Sequence, residues 1–157
     1  MNNFFPYRKI FGFEELSMVK KVFQNSWKRK LDFGYQEKYE KIFTDKFVKF
    51  QGKGFCDGVN SGTNAIWLAI KALQIKNKNK IAIVSPVTNP GSLTALSLEN
   101  FKIKLVDSEV NSFSISNDKF KKALEKNVKL AIITHYAGLP IDLTEIRKIC
   151  KKKKIFL

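Results

Sequence analysis

The sequence has few of the residues from which small metal sites and disulfide frameworks are built. Its 157 residues include two cysteines and one histidine. Cys56 and Cys150 lie far apart and match no CxxC spacing, and a single imidazole adds too little ligation for zinc. The sequence therefore predicts no metal site, and it predicts two free thiols in a reducing compartment.

Long apolar runs are also lacking. No stretch approaches the roughly 18 apolar residues of a membrane-spanning helix, and no basic segment followed by an apolar segment marks the start as a secretory signal. The sequence therefore predicts a soluble cytoplasmic protein. The 44% hydrophobic content is ordinary for a globular chain, so a packed core is expected.

Arginine is scarce although the net charge is +15. Only Arg8, Arg29 and Arg147 are present, whereas specific readout of nucleic-acid bases favours the arginine fork. Lysine is spread along the whole chain rather than clustered in one stripe, which does not favour nucleic-acid binding as the main function. A basic, non-enzymatic module recruited to nucleic acid or an anionic membrane remains an alternative, and its binding would weaken steeply with salt.

Two amphipathic helices are predicted in an N-terminal helical segment, residues 1–50. Residues 13–23 place apolar groups at helical spacing, and a second run follows Gly34. Aromatic and apolar residues recur in that second run every three or four positions, at Tyr35, Tyr39, Ile42, Phe43, Phe47 and Phe50. We expect this stripe to pack in a core.

Residues 51–157 alternate short apolar runs with helix-length amphipathic segments. Strands are predicted at residues 55–59, 81–85, 103–106, 130–135 and 154–157, and helices at 63–74, 92–100, 117–126 and 143–152. This alternation predicts an α/β fold with three layers, α/β/α, around a mostly parallel sheet. Ligands of such sheets bind outside the carboxyl ends of the strands. Because nothing follows the strand predicted at 154–157, we expect the chain to be incomplete.

The strongest local motif is the turn Asn60-Ser61-Gly62-Thr63-Asn64 between a predicted strand and a predicted helix. Ser61 or Gly62 is expected to be the N-cap, leaving the amides of Thr63 and Asn64 unpaired in the first turn. Such amides, with the helix dipole and a hydroxyl, form an anion site. An ordinary helix cap without a ligand is the alternative interpretation.

Three motifs in this order resemble a known family. They are Asn60-Ser61-Gly62-Thr63-Asn64-Ala65, then Ser85-Pro86-Val87-Thr88-Asn89-Pro90, then Thr134-His135-Tyr136-Ala137-Gly138-Leu139-Pro140-Ile141-Asp142-Leu143. Their order and spacing are similar to those of the DegT/StrS group of sugar aminotransferases, which depend on pyridoxal 5'-phosphate (PLP). The resemblance covers residues 34–157.

The resemblance implies the large domain of a fold type I PLP-dependent transferase with a mixed sheet, here truncated. Residues 51–157 would form an incomplete PLP-binding domain, with the C-terminal domain absent, and the full-length protein would be a homodimer. Cofactor-binding positions implied by the resemblance are Ser61, Gly62, Thr63, Asn64 and Asn89. Asn89 stands where the family places an aromatic residue against the cofactor ring. The resemblance further implies positions near the cofactor or substrate for Thr88 and His135, and a wall of the site at Tyr136 and residues 138–140.

The catalytic residues are not identifiable in this sequence. In the family, a lysine forms a Schiff base with PLP and a carboxylate holds the pyridine nitrogen, and the resemblance places both beyond Leu157. The function implied by the resemblance is amino transfer, with glutamate as the expected donor, to a nucleotide-linked keto sugar in polysaccharide biosynthesis. Residues 1–157 alone are expected to be inactive. Alternatives are a PLP- or PMP-dependent sugar dehydratase of the same family, in which histidine replaces the lysine, and a paralogue without turnover.

Overall fold

The computed structural model describes residues 11–76 and 78–157. Within this part, the chain divides into two compact units, one ending at Gly58 and one running from Val59 to Leu157.

The first unit contains α1 (Phe13–Arg29) and α2 (Lys38–Gln51), which confirms both predicted helices. The Gly12 amide donates to Glu15 Oε2 at 2.7 Å, so one free amide at the start of α1 is satisfied. Left-handed residues follow both helices, Lys30 with φ 52° and Gly52 with φ 92°. Glycine adopts this conformation without the steric cost of a Cβ, so Gly52 is a natural stop for α2.

The aromatic stripe of this unit does not form the core that we expected from the sequence. Neither α1 nor α2 has a buried residue, and Phe43 and Phe50 are 59% and 83% exposed. The aromatics instead contact one another in pairs, such as Phe43 with Phe47, whose ring centroids are 6.0 Å apart. Two helices alone cannot enclose a core, because each has one apolar stripe and needs a further layer to cover it.

The second unit is a three-layer α/β/α arrangement, as predicted. Its elements are α3 (Gly62–Ala72), β1 (Ile81–Val84), α4 (Pro90–Leu98), β2 (Lys102–Leu105), α5 (Asn117–Ala123), β3 (Val128–Ile132) and α6 (Thr144–Lys153). The strand order is β2-β1-β3, and both pairings are parallel. Helices α3 and α4 pack on one face of the sheet, and α5 and α6 pack on the other.

The central strand β1 explains why this sheet needs two helical layers. All four of its residues are buried. Ile81 and Ile83 face the cluster that contains Phe120 of α5, whereas Ala82 and Val84 face the cluster that contains Leu96 of α4. Successive strand residues point to opposite faces, so a strand that is covered on both sides reads as a continuous apolar run.

Among the predicted strands, the first and the last differ most from the observed structure. Residues 55–59 do not form a strand, and Phe55 is fully exposed. Among the described residues, no neighbouring strand forms backbone hydrogen bonds with residues 55–59. An apolar sequence does not form a strand without such a partner. The strand predicted at 154–157 is present as a single parallel bridge between Phe156 and Leu130.

The strand predicted at 130–135 is displaced toward its amino end, since β3 covers Val128–Ile132. The following residues turn instead into a short 3-10 helix, Tyr136–Gly138, with Ala137 at a positive φ of 50°. This turn redirects the chain away from the sheet at Thr134 and His135. It therefore places both residues in the loop at the carboxyl edge of the sheet.

Candidate functional site

The start of α3 is capped by its own serine. Ser61 Oγ accepts a hydrogen bond from the Asn64 amide at 3.2 Å, and the Ser61 carbonyl accepts one from the Ala65 amide at 3.0 Å. Ser61 is therefore the N-cap, one of the two positions predicted. The expectation that the Asn64 amide is unpaired was wrong, because the Ser61 hydroxyl oxygen accepts its hydrogen bond. Within the described residues, the amides of Gly62 and Thr63 have no acceptor.

The start of α4 is also capped by the side chain of its N-cap residue. Asn89 Oδ1 accepts from the Gly91 amide at 2.9 Å, and Pro90 occupies the first turn, where a missing N–H costs nothing. Asn89 is thus the N-cap of α4, and its amide oxygen is already in use. The Nδ2 group of Asn89 donates to no acceptor within the described residues, and Oδ1 keeps a second lone pair.

Helices α3 and α4 lie side by side and point the same way. At their starts, a Cβ built on Gly91 would be 2.5 Å from Thr63 Oγ1, so a larger residue there would force the Thr63 side chain or its helix to shift. At their ends, Lys71 Nζ lies 3.1 Å from Glu99 Oε1. The two pairs are equally separated in sequence, which means that the helices keep one register along their length.

This parallel arrangement brings two positive helix ends together. Each helix carries about half a positive charge at its N-terminus. Because α3 runs into β1 and α4 leaves it, both N-termini lie at the carboxyl edge of the sheet. Two like partial charges side by side repel, so an anion bound between them would be stabilised by both. The predicted residues Ser61, Gly62, Thr63, Asn64 and Asn89 all lie at these two helix starts.

A pair of hydrogen bonds links the loops that follow β1 and β3. Thr88 Oγ1 and Thr134 Oγ1 share one hydrogen bond of 2.8 Å, and the Thr134 amide donates to Ser85 Oγ at 3.0 Å. Ser85 is fully buried. The structure therefore ties Thr88, a predicted site residue, to the residue just before His135.

His135 is exposed and has one defined partner. Its Nδ1 accepts a hydrogen bond from the Ile141 amide at 3.1 Å, so in the neutral ring the proton is on Nε2. The next residue, Tyr136, packs against Phe113 with ring centroids 5.1 Å apart. Tyr136 thus has a defined aromatic partner in the loop between β2 and α5.

A depression of about 590 Å³ adjoins His135 and is lined by Arg147, Lys148 and Lys151 of α6. Asp142 also lines it, and its carboxylate accepts a hydrogen bond from the Thr144 amide at 2.9 Å. The hydrogen bonds from Thr144, with a smaller contribution from Lys148, hold the pKa of Asp142 below its ordinary value. Asp142 therefore stays ionised and offsets part of the positive charge of this depression.

A second depression, of about 670 Å³, is apolar and lies beside β3 and Phe156. None of the predicted site residues lines it, so we do not associate it with the candidate site. In residues 11–76 and 78–157, no three His, Cys, Asp or Glu side chains are close enough together to hold a metal ion. Over the same residues, no helix has the length and apolar character needed to cross a membrane.

Three residues of this site were not identified from the sequence. Gly91 lies against Thr63, Ser85 accepts from the Thr134 amide, and Thr134 bonds to Thr88. The sequence held one signal for Gly91, since it follows Asn89-Pro90 at a helix start, where capping is expected. Ser85 and Thr134 open two of the three motifs, but the sequence did not reveal the bonds they make, because their partners lie more than forty positions away in the chain.

The chain is similar to proteins that are considerably longer. An uncharacterized protein of Methanocaldococcus jannaschii is 27% identical over 153 residues, which are 97% of this chain and 38% of that protein. The chain thus spans well under half the length of this curated relative.

Two solved structures share the fold. The E. coli GDP-4-keto-6-deoxy-D-mannose-3-dehydratase with bound hydrated PLP has a TM-score of 0.79 and 22% identity, over 94% of this chain and 38% of that one. Helicobacter pylori PseC, an aminotransferase involved in the biosynthesis of pseudoaminic acid, has a TM-score of 0.79 and 17% identity, over 93% of this chain and 38% of that one. At these identities the likeness establishes the fold alone.

The resemblance inferred from the three motifs is confirmed at the level of the family. The DegT/DnrJ/EryC1/StrS aminotransferase family matches residues 10–157, which include both structural units apart from the first nine residues. This match and the shared fold lead to one conclusion: the chain belongs to the DegT/DnrJ/EryC1/StrS aminotransferase family.

Proposed function

We propose that this chain forms the phosphate-binding end of the cofactor site in a PLP-dependent aminotransferase that acts on nucleotide-linked keto sugars, with glutamate as amino donor. The observation that carries the proposal is the pair of parallel helix starts, with Thr63 against Gly91. Family membership supports it, because the family is one of aminotransferases.

The residues at the two helix starts fit a phosphate group. The amides of Gly62 and Thr63 are free to donate, and the hydroxyl groups of Ser61 and Thr63 lie beside them. A phosphate dianion is the kind of ligand that two aligned helix dipoles favour, each contributing up to about 2 kcal/mol. Bound PLP would supply an electron sink for carbanion chemistry, which no amino-acid side chain provides.

The remaining predicted residues receive roles that agree with their contacts. The Gly91 amide fixes the side chain of Asn89 through Oδ1, and we propose that its Nδ2 group donates to the cofactor or the substrate. Thr88 is proposed to border the site through its link to Thr134. His135, with Nδ1 occupied, is proposed to act through Nε2–H as a hydrogen-bond donor near the cofactor rather than as a base.

The wider features of the protein are part of the same proposal and follow from the resemblance. We propose an N-terminal helical segment, residues 1–50, and an incomplete PLP-binding domain, residues 51–157. The catalytic lysine and carboxylate would lie in sequence beyond Leu157, together with a C-terminal domain. The complete protein would be a cytoplasmic homodimer that serves polysaccharide biosynthesis.

A sugar dehydratase is the second candidate. It is favoured by the structural likeness to the E. coli dehydratase, which equals the likeness to the aminotransferase PseC in TM-score. Both activities would use the same phosphate site. They differ in the product, because an aminotransferase replaces the keto oxygen of the sugar by an amino group whereas a dehydratase removes a hydroxyl group.

The test uses the polypeptide translated from the complete reading frame, incubated with PLP, glutamate and a panel of nucleotide-linked keto sugars. We expect 2-oxoglutarate to be released and mass spectrometry to show a sugar that has gained an amino group. A deoxygenated product would establish the dehydratase instead. No sugar-dependent change with any member of the panel, or a reading frame that ends at Leu157, would reject both activities.

A further inference from the structure

The loops that follow β1 and β3 are held together by hydrogen bonds that do not involve the phosphate-binding residues proposed above. Ser85 is the first residue after β1, and its fully buried hydroxyl oxygen accepts from the Thr134 amide at 3.0 Å. The Ser85 amide in turn donates to the Ile132 carbonyl at 3.2 Å. Ser85 thus extends the β1–β3 contact beyond the last ladder residues.

A second hydrogen bond joins the same loops one step further from the sheet. The hydroxyl groups of Thr88 and Thr134 are 2.8 Å apart, and both side chains are half-buried. A hydrogen bond that is shielded from water is costly to lose, because its partners cannot be resolvated freely. The two bonds therefore fix Thr134 from two sides, through its amide and through its hydroxyl.

Each end of this link is adjacent to a group at the carboxyl edge. Thr88 directly precedes Asn89, whose side chain caps α4 through the Gly91 amide. Thr134 directly precedes His135, whose Nδ1 accepts from the Ile141 amide. A continuous path of hydrogen bonds and peptide bonds consequently runs from the start of α4 to the histidine ring.

We propose that Ser85, Thr88 and Thr134 form a clamp of positioning residues that holds His135 in one ring orientation and tautomer relative to the start of α4. The relevance of the clamp to catalysis rests on the proposed function, since both ends border the proposed cofactor site. The clamp itself is a property of the chain and can be tested without any cofactor. It acts by fixing backbone and ring positions, and none of its three members needs to touch a ligand.

The test observes the ring of His135, the one histidine in residues 1–157. In the complete protein labelled with ¹⁵N-histidine, the two ring nitrogen signals of His135 are those lost in a His135→Gln variant, and they report its tautomer. The variants are Thr88→Val, Thr134→Val and the double variant, which remove the shared hydroxyl bond from either end or from both. Thr94→Val is the matched control, because Thr94 is exposed and its hydroxyl only donates to the Pro90 carbonyl within α4.

We expect the wild type and Thr94→Val to show the tautomer protonated at Nε2. Thr88→Val, Thr134→Val and the double variant should show the same partial averaging of the two ring nitrogen shifts. Thr134→Ser, which retains the hydroxyl group, should restore the wild-type signals. The double variant should resemble either single variant because all three lack one common hydrogen bond, whereas independent residues would give additive effects.

A second measurement connects the clamp to the proposed site. Calorimetry with pyridoxine 5'-phosphate, which has no aldehyde to react with lysines, should show binding weakened about three- to tenfold in each single variant and by no more in the double variant. Unchanged His135 signals in both single variants, or clearly additive losses, would overturn the clamp. If instead the ring signals change as expected but the wild type does not bind the phosphate ligand, the proposed function fails and the clamp stands.

Discussion

Thr63 of α3 lies against Gly91 of α4, so that a single added carbon on residue 91 would be 2.5 Å from the Thr63 hydroxyl oxygen. Real carbon–oxygen contacts are not this short, so a side chain at residue 91 would force the Thr63 side chain or the helix starts to shift. The consequence is that two helix N-termini, four free or capped amides and several hydroxyl groups share one small region at the carboxyl edge of the sheet.

Gly91→Ala should therefore separate the two helix starts. We expect a loss of about 1–3 kcal/mol in the free energy of unfolding, the usual cost of overpacking, and at least a tenfold weaker affinity for pyridoxine 5'-phosphate. Urea unfolding and calorimetry measure the two effects. Gly34→Ala is the matched control, since nothing lies within 4 Å of a Cβ at that position. If Gly91→Ala and Gly34→Ala had equal effects on the free energy of unfolding and on ligand affinity, the close approach of Thr63 and Gly91 would contribute to neither.

Ser61→Ala should remove the N-cap of α3. The Asn64 amide would lose its acceptor, and a lost serine cap costs about 1 kcal/mol of stability. Urea unfolding at neutral pH checks this value. Ser97→Ala is a suitable comparison, because Ser97 is an exposed residue within α4, and a change of less than about 0.5 kcal/mol is expected there. A Ser61→Ala variant as stable as the wild type would contradict the assigned cap.

The ion pair between Lys71 and Glu99, at the C-terminal ends of α3 and α4, should make the free energy of unfolding depend on pH. The Lys71 ammonium group and, less strongly, the Trp67 indole N–H hold the pKa of Glu99 below its ordinary value of 4.5, although burial acts in the opposite direction. Because the folded state prefers ionised Glu99, this contribution is present above pH 4.5 and is lost as the pH falls through the lowered pKa.

Glu99→Gln should consequently be less stable than the wild type at pH 7, and the difference should shrink as the pH falls below 4.5. Urea unfolding over this pH range measures the difference. Glu145→Gln provides the control, since its partner Lys121 and Glu145 itself are 42% and 50% exposed, and such surface pairs contribute about 0–1 kcal/mol. A difference for Glu99→Gln that stays constant with pH would refute the ion-pair explanation.

The core between the sheet and the α5/α6 layer should depend strongly on Phe120. This ring is completely buried, and truncation of a buried phenylalanine to alanine costs about 3–5 kcal/mol. Phe120→Ala should accordingly lower the midpoint of urea unfolding sharply. Phe55→Ala, at a fully exposed position, should change the stability of the same chain by less than about 0.5 kcal/mol.

The sequence sufficed for those features that depend on local pattern. The buried run of β1 and a helix cap at Ser61 or Gly62 were predictable, because a strand that is covered on both faces is uniformly apolar and a helix start needs an acceptor, but the choice of Ser61 came from the structure. Every helix predicted from periodicity is present; the four helices of the second unit have ends that differ by at most three residues, whereas α1 extends six residues beyond the predicted run 13–23. The motif-based resemblance also identified the family correctly.

Features that depend on distant partners were not predictable. Residues 55–59 are apolar enough for a strand, yet a strand exists only where another strand completes its hydrogen bonds. The aromatic stripe of α2 has core-like spacing, but burial depends on a layer that local periodicity does not reveal. Ser85 and Thr134 meet only because β1 and β3 are neighbours in the sheet, which is a property of the folded topology.

The central claim is that the starts of α3 and α4 bind a phosphate group, and one comparison tests it most directly. Calorimetry of the wild-type chain would compare pyridoxine 5'-phosphate with pyridoxine, two aldehyde-free ligands that differ only in the phosphate. We expect the phosphate ligand to bind at least about tenfold tighter, a difference of about 1.4 kcal/mol, and inorganic phosphate to compete with it. Equal affinities for the two ligands, or no competition by phosphate, would contradict the assignment of this site.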